Sequence, residues 1–508
     1  MNRISQLFVI TFVSLWSVLT WASNPVCGSG VVNNPNVDAA ASLLNCIQSA
    51  SAAKASIVEL LPGRYYINGS LDLGSISNIR IRTLNLSSGP ACLDAGASAC
   101  AILTATPTNL GPTILRSTNA TGLILDHIAI DGNIAPRRAR YNNSSWALDN
   151  NNTRRSATNS FMHGCDNCQF LGFASVRAAW GTGMEFYGSN AIFTSVYFAE
   201  NGWGATSSDG NWSDGLTLLS APNVRVTDSK FIDNSDVDLV IGGASGGVIS
   251  ANQFTNRYNF AFAALMFDNF NGSQPGTFVN TSITNNSINC NMGMCGIGMG
   301  FGPHLWYPSA SINGIGAQAT GNNISGAKQG ILTAGAYGFT ITQNNVYTNG
   351  AYAANNYVGF TANPISVSTG DAVSVYGNNY GVYANLLAGA TPNALLPMVV
   401  HMAGVSYTIA VDYRNILGRD PDISGGQYYT QVLATGESNS SIMQIMATSN
   451  ECYNLLNAMY LKYLGRSIDP SGWTTYSAAL ANGRTTQDKI RVILQLSPEA
   501  LSNPYRYY

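Results

Sequence analysis

The sequence predicts a mainly β chain, a parallel β-solenoid followed by a small all-α tandem-repeat domain, and three observations carry this. First, a short β-rich phrase with a polar turn recurs. It reads Val224-Arg-Val-Thr-Asp-Ser-Lys-Phe231, Val248-Ile-Ser-Ala-Asn-Gln-Phe254, Ile283-Thr-Asn-Asn-Ser-Ile288, Ala319-Thr-Gly-Asn-Asn-Ile324, Ile341-Thr-Gln-Asn-Asn-Val346 and Val375-Tyr-Gly-Asn-Asn-Tyr380. The last apolar residues stand 23, 34, 36, 22 and 34 positions apart, a coil of about 22 residues with occasional insertions. Second, another apolar strand accompanies most phrases: Gly215-Leu-Thr-Leu218, Asp238-Leu-Val-Ile241, Phe260-Ala-Phe262, Gly296-Ile-Gly-Met299 and Gly330-Ile-Leu332. Third, the last hundred or so residues turn helical and contain a duplication of period 47. In each phrase the Asn or Asp near the end tolerates left-handed backbone and bonds its own turn.

Taken from the N-terminus, residues 1–22 read as a secretory signal: Arg3, an apolar run from Leu7 to Ala22, and the small residues of Thr20-Trp-Ala22 at a cleavage site. An uncleaved membrane anchor is the alternative. The solenoid is expected over 23–390. Residues 24 to about 75 form its cap, where Asp38 to Ser49 carries apolar residues at helical spacing that can cover an open apolar end. Ile57-Val-Glu-Leu-Leu-Pro-Gly-Arg-Tyr-Tyr-Ile67 then gives strand, turn and strand, and coils continue through Leu123 to Ile130 toward Asn385. Eight of nine cysteines form neighbouring couples, Cys27/Cys46, Cys92/Cys100, Cys165/Cys168 and Cys290/Cys295, which in an exported chain read as small disulfide loops; Cys452 is left over. Cys165-Asp-Asn-Cys168 also leaves half a metal site or a redox pair open.

Composition narrows the function. Only 10% of the 508 residues are charged, against roughly 25% in soluble proteins at large. The net charge of −2 argues against a nucleic-acid or membrane-surface partner. A polar surface built mostly from Asn, Ser and Thr suits neutral or hydroxyl-rich partners.

The opening strand–turn–strand and the coils over roughly 55–385 resemble the pectin-lyase-like superfamily, whose members are right-handed parallel β-helices. Within it, Trp212-Ser-Asp214-Gly-Leu-Thr-Leu218 followed by Asn234-Ser-Asp236-Val-Asp238 resembles the polygalacturonases of glycoside hydrolase family 28, where an Asn-Thr-Asp-Gly strand is followed one coil later by Asp-Asp. That resemblance implies that Asp214, Asp236 and Asp238 supply a general acid and activate an attacking water with inversion. The chain departs from the family at Val237, which separates the pair, and at Asn256-Arg-Tyr-Asn-Phe260, which stands where Gly-His-Gly is expected. In 396–508, Tyr413-Arg-Asn-Ile-Leu-Gly-Arg419-Asp-Pro-Asp422-Ile-Ser-Gly425 returns as Tyr460-Leu-Lys-Tyr-Leu-Gly-Arg466-Ser-Ile-Asp469-Pro-Ser-Gly472. This is similar to a bacterial helical repeat family marked by LGRxPDxxG, a domain of unknown function, and implies an accessory or anchoring role. Arg419 and Arg466, each with an Asp three residues on, are read as fixing the interhelical turn.

Residues 200–260 hold the densest chemistry. Trp203, Asp209, Trp212, Asp214, Asp236, Asp238, Arg257 and Tyr258 fall within three coils, and Asp214 precedes Asp236 by 22 residues, about one coil. Acid–base cleavage of a polysaccharide is the preferred reading, with Asp214, Asp236, Asp238 and Arg257 as catalytic candidates and Trp203, Asp209, Trp212 and Tyr258 as substrate-binding ones. The same Asp residues also suit turn caps. A uronate lyase or epimerase would use Arg257 or Tyr258 beside the sugar carboxylate, with Ca²⁺ as an accompanying ion. Otherwise no cofactor and no metal is implied, since His127, His163, His304 and His401 are scattered. A non-catalytic glycan-binding or surface-structural protein is the reading from a different class. Arg137, Arg138, Arg140, Arg154 and Arg155 form the one basic cluster and can fork onto carboxylates of an acidic glycan. The partner is thus a polysaccharide, acidic or neutral, with a cell-surface or protein partner left open for the helical repeats. The location expected is secreted, periplasmic or cell-surface.

Overall fold

The computed structural model describes residues 24–86, 88–94, 99–109, 113–134, 158–179, 181–202, 213–257, 259–270, 277–290, 294–310, 312–348, 363–382, 407–419, 421–495 and 497–499. The apolar N-terminal run and the arginine-rich 135–157 connection, which carry the export and glycan-holding expectations, lie outside these residues. Strands of the first part join three all-parallel sheets of ten, twelve and eleven strands, here sheets 1, 2 and 3, and the chain visits them in that cyclic order. It is a parallel β-helix, as expected from the recurrent phrase.

Each phrase proves to be a sheet-2 strand, a two-residue corner and a sheet-3 strand; Arg225–Thr227 with Lys230–Ile232 and Val248–Ser250 with Gln253–Thr255 are examples. The first corner residue is left-handed, with φ of 53° at Asp228, 56° at Ala251, 57° at Asn285 and 55° at Gln343. The second points inward. Asn252, Asn286, Asn322, Asn344 and Asn378 form a ladder in which each side-chain oxygen from Asn286 on accepts both the backbone N–H and the Nδ2 of the Asn one coil before, at 2.8–3.1 Å. Buried amides with partners on every side cost little, whereas an unpartnered one costs about 1–3 kcal/mol. This is why the turn Asn recurs at each coil from Asn252 to Asn378. The Gly-x-apolar strands all belong to sheet 1. Inside, Phe198, Phe231 and Phe254 stack at 5.6 and 4.9 Å, and Phe170 stacks on Phe193 at 4.6 Å.

The amino-terminal end is covered by α1 (Ala40–Ala52), which buries Leu43, Ile47 and Ala50. Disulfide Cys27–Cys46 ties it to the first strand, and Cys92–Cys100, Cys165–Cys168 and Cys290–Cys295 complete the four couples read from the sequence. Cys452 is buried and outside any disulfide. The last described strand is Asn379–Val382. Among the described residues six helices follow: α2 (Tyr407–Leu417), α3 (Ile423–Ala434), α4 (Asn439–Ala447), α5 (Asn450–Leu464), α6 (Pro470–Ala481) and α7 (Gln487–Gln495). Their own core includes Ile416, Ile442, Leu456, Tyr463 and Leu480. The two parts meet where Lys462 of α5 pairs with Glu200, beside Arg177 and the buried Asp131. No helix among the described residues is long and apolar enough to cross a membrane.

Candidate functional site

Sheet 1 is where the expected acids fall. In its strands Leu216, Leu218, Leu239 and Ile241 enter the core, so the residues between them face outward. The strand register aligns one outward column along the solenoid: Asp72, Arg116, Phe161, Glu185, Thr217, Val240, Met266, Gly300 and Leu332. Its first half is polar and open. Arg116 lies over the Phe161 ring at 5.5 Å and 3.9 Å from Asp72. His163 stacks on Phe161 at 3.6 Å, and its Nε2 is 2.8 Å from Glu185 Oε1. Tyr187, aligned with His163 one rung on, is 45% exposed.

Asp214 joins this cluster. Half-buried in the strand Ser213–Ser220, it accepts the Thr217 hydroxyl on Oδ2 at 2.7 Å and the Val237 N–H on Oδ1 at 3.1 Å. Thr217 is the direct neighbour of Glu185 in the column. Glu185 and Asp214 are therefore one rung and three residues apart, ~11 Å between Cα atoms at parallel-strand spacings. Asp236 is half-buried at the corner entering the next strand, opposite Phe262. Arg257 is exposed at a sheet-3-to-sheet-1 corner one coil further, its N–H held by Asp233.

Asp238 is placed elsewhere. Register puts it in a column with Gly183, Gly215, Ala264, Gly298 and Gly330. A Cβ at Gly298 would meet Ile324 and Ala327, and one at Gly330 would meet Val346, all core residues. Asp238 thus points into the coil, fully buried, with Asn234 Nδ2 donating to its Oδ1 at 2.8 Å. Burial pushes its carboxyl well above the usual range, against the pull of the Asn234 hydrogen bond. The expectation that three carboxylates share one groove is corrected here. A sequence step of one coil fixes the rung, but a corner where two successive residues face inward decides the side. Trp203, Asp209, Trp212, Tyr258, Arg137, Arg138, Arg140, Arg154 and Arg155 lie outside the described residues.

Glu185 and Phe161 went unread in the sequence, and His163 was read only as one of four scattered histidines, because no motif joins them. One signal was available: His163 and Glu185 are 22 residues apart, one coil.

The second half of the face is apolar and covered. Val240 and Met266 are fully buried under Phe262, Phe270, Leu305 and Trp306. Asp268, at the turn leaving the strand Ala261–Phe267, accepts the Phe270 N–H at 2.8 Å and faces the Trp306 backbone N–H. Burial, opposed by those N–H groups, pushes its carboxyl up to about 7.

In the helical part the repeated turn has a mechanical explanation. Asp422 and Asp469 cap α3 and α6, accepting Gly425 N–H and Gly472 N–H at 2.8 Å. Arg419 and Arg466 grip those Asp residues, fork onto Glu451 and Glu499, and lie 5.1 Å over Tyr413 and Tyr460. Gly425 and Gly472 are glycine because a Cβ would come within 2.2 and 2.3 Å of the tyrosine hydroxyls.

Residues 407–456 match the family model described as a domain of unknown function, DUF4214. No curated protein matches the chain. Among solved structures, the Dettilon tailspike protein is 13% identical, with 70% of this chain and 62% of that chain covered and a TM-score of 0.47. Endo-xylogalacturonan hydrolase from Aspergillus tubingensis is 15% identical, with 70% and 92% covered and a TM-score of 0.43. An exopolygalacturonase from Thermotoga maritima is 10% identical, with 69% and 88% covered and a TM-score of 0.43. The chain thus spans less than two thirds of the tailspike, and at such identities and scores nothing about chemistry follows from the likeness.

Proposed function

We propose that the protein is an exported carbohydrate-active β-helix protein whose sheet-1 outer face binds a polysaccharide and hydrolyses a glycosidic bond. The observation that carries this reading is the juxtaposition of Glu185, His163, Phe161, Tyr187, Arg116 and Asp214 on one outward face. Aromatic rings accept the C–H faces of sugars, and a carboxylate pair with a water between them is the equipment of inverting hydrolysis, at separations of roughly 6.5–9.5 Å. Asp214, which accepts hydrogen bonds from Thr217 and Val237, orients and deprotonates the water. Glu185, in contact with the His163 ring, donates the proton to the leaving oxygen. Asp236 and Arg257 flank the site at adjacent corners.

Binding without turnover is the second reading, and one observation favours it: both Asp214 oxygens are already engaged by Thr217 and Val237. Incubating the purified chain with acidic and neutral polysaccharides, while following new reducing ends and the absorbance of unsaturated uronates together, separates the cases. Reducing ends without absorbance support hydrolysis. Absorbance moves the chemistry to elimination and toward Arg257, and retained binding with neither signal establishes the second reading.

A further inference from the structure

The outer face of sheet 1 changes character abruptly along the solenoid axis. Upstream, the Asp72 and Arg116 side chains are both 50% exposed and Glu185 is 29% exposed. Thr217 is only 5% exposed, and Val240 and Met266, on the next two rungs, are at 0%. What buries them is a wall of three rings set across the strands. Trp306 stands in the middle, with ring centres 6.1 Å from Phe262 on one side and 5.9 Å from Phe270 on the other.

Two glycines let the wall lie flat on the sheet. A Cβ at Gly242 would come within 2.7 Å of the Phe270 ring, and one at Gly300 within 2.7 Å of Leu305 Cδ1. Gly300 belongs to the outward column itself, so Leu305 occupies the place a side chain would take. The segment that supplies Leu305 and Trp306 is pinned by its own bonds. His304 N–H donates to Ala334 O at 3.0 Å, His304 Nε2 lies 2.9 Å from Ala310 O, and Tyr307 N–H donates to Pro303 O at 2.9 Å. Asp268 fastens the opposite side through the Phe270 N–H.

We infer that the saccharide face is a dead-end groove, open toward Asp72 and closed by Phe262, Trp306 and Phe270, so that the protein acts on chain ends. This deepens the hydrolase reading and rests on it. A polymer entering along the column passes Arg116, Phe161 and Glu185 and stops against the rings. The wall begins one rung beyond Asp214 and Thr217, ~4.8 Å on, about the length of one pyranose. The leaving piece is therefore a single sugar or a very short oligosaccharide, and a chain interior cannot cross the site. Trp306 is a specificity-determining residue in this account, since its ring bridges the other two.

The test compares product sizes for whichever polymer in a panel of polygalacturonate, alginate, hyaluronan, dextran and arabinan the wild-type protein cleaves. Reducing ends and polymer mass are followed in the same samples. The expected result is one small product and a polymer peak almost unmoved, because end release shortens each chain only by the fraction of bonds cut. Trp306→Ala, checked for folding by circular dichroism, is expected to shift the products toward a ladder of sizes. A ladder and collapsing polymer mass from the wild type would overturn the dead-end groove while leaving hydrolysis standing. That comparison needs no variant, so a misfolded Trp306→Ala does not blunt it. No bond cleaved in any polymer would overturn both.

Discussion

Asp268 offers a quantitative handle on the wall that closes the candidate groove. Its carboxyl is fully buried, accepts the Phe270 N–H and is pushed from 3.8 to about 7. The folded protein therefore holds this proton up to about pH 7, while the unfolded chain releases it near 3.8. Between those values the folded state binds more protons, so the Asp268 contribution is full below the unfolded pKa and is lost as pH rises through the folded one. Three units at 1.36 kcal/mol each set an upper figure of ~4 kcal/mol, of which ~2–3 kcal/mol falls between pH 5 and pH 8. Asp268→Asn keeps an oxygen for the Phe270 N–H and removes the ionisation. Guanidinium unfolding of wild type and variant at both pH values, followed by tryptophan fluorescence, gives the difference, with other titrating groups cancelling. The wild type should lose about 2–3 kcal/mol relative to the variant on going from pH 5 to pH 8. An unchanged difference would refute the claim that Asp268 is buried against the wall.

Other outcomes follow from the same structure. Asn322→Ala strips the acceptor from the Asn286 N–H and Nδ2, two buried donors at about 1–3 kcal/mol each. Thermal or chemical unfolding should show a loss of ~2–5 kcal/mol, whereas Asn190→Gly in the exposed Asn167–Asn190–Asn223 series, which keeps the left-handed backbone of that position accessible, should cost well under ~1 kcal/mol. Asp238→Asn should retain cleavage activity and stabilise the protein increasingly as pH rises, because the wild-type carboxyl, raised by burial, loses stability with rising pH; a variant that folds but is inactive would return Asp238 to the chemistry. Gly472→Ala should cost ~1–3 kcal/mol through the clash with the Tyr460 hydroxyl, and Tyr460→Phe added to it should recover part of that loss in a double-mutant comparison.

The solenoid was legible because its corner imposes a local rule. A left-handed residue at successive corners, joined from Asn252 onward by an inward Asn, leaves a mark in sequence, seen at Ala251-Asn252 and Asn285-Asn286. The disulfides were legible because their cysteines are neighbours in the chain. The helical turn was legible because cap, glycine and arginine recur together in both copies. The site was only partly legible. Spacing placed Asp214 and Asp238 on adjacent rungs, yet one side chain faces out and the other joins a column of glycines inside. Glu185 and His163 are linked by register alone, and Phe262 from a strand joins Phe270 and Trp306 from two connections in a wall with no shared motif. The pairing of Lys462 with Glu200 joins residues far apart in the chain with no pattern to announce it.

The most direct test of the account is to compare wild type, Glu185→Gln and Asp214→Asn on the polysaccharide that the wild type cleaves, measuring affinity and release of reducing ends on the same preparations. The account predicts that both variants bind within a few-fold of wild type and that each loses at least ~100-fold in cleavage rate, the range expected for a positioned acid or base. Full cleavage by both variants would contradict the placement of the chemistry on the outer face of sheet 1.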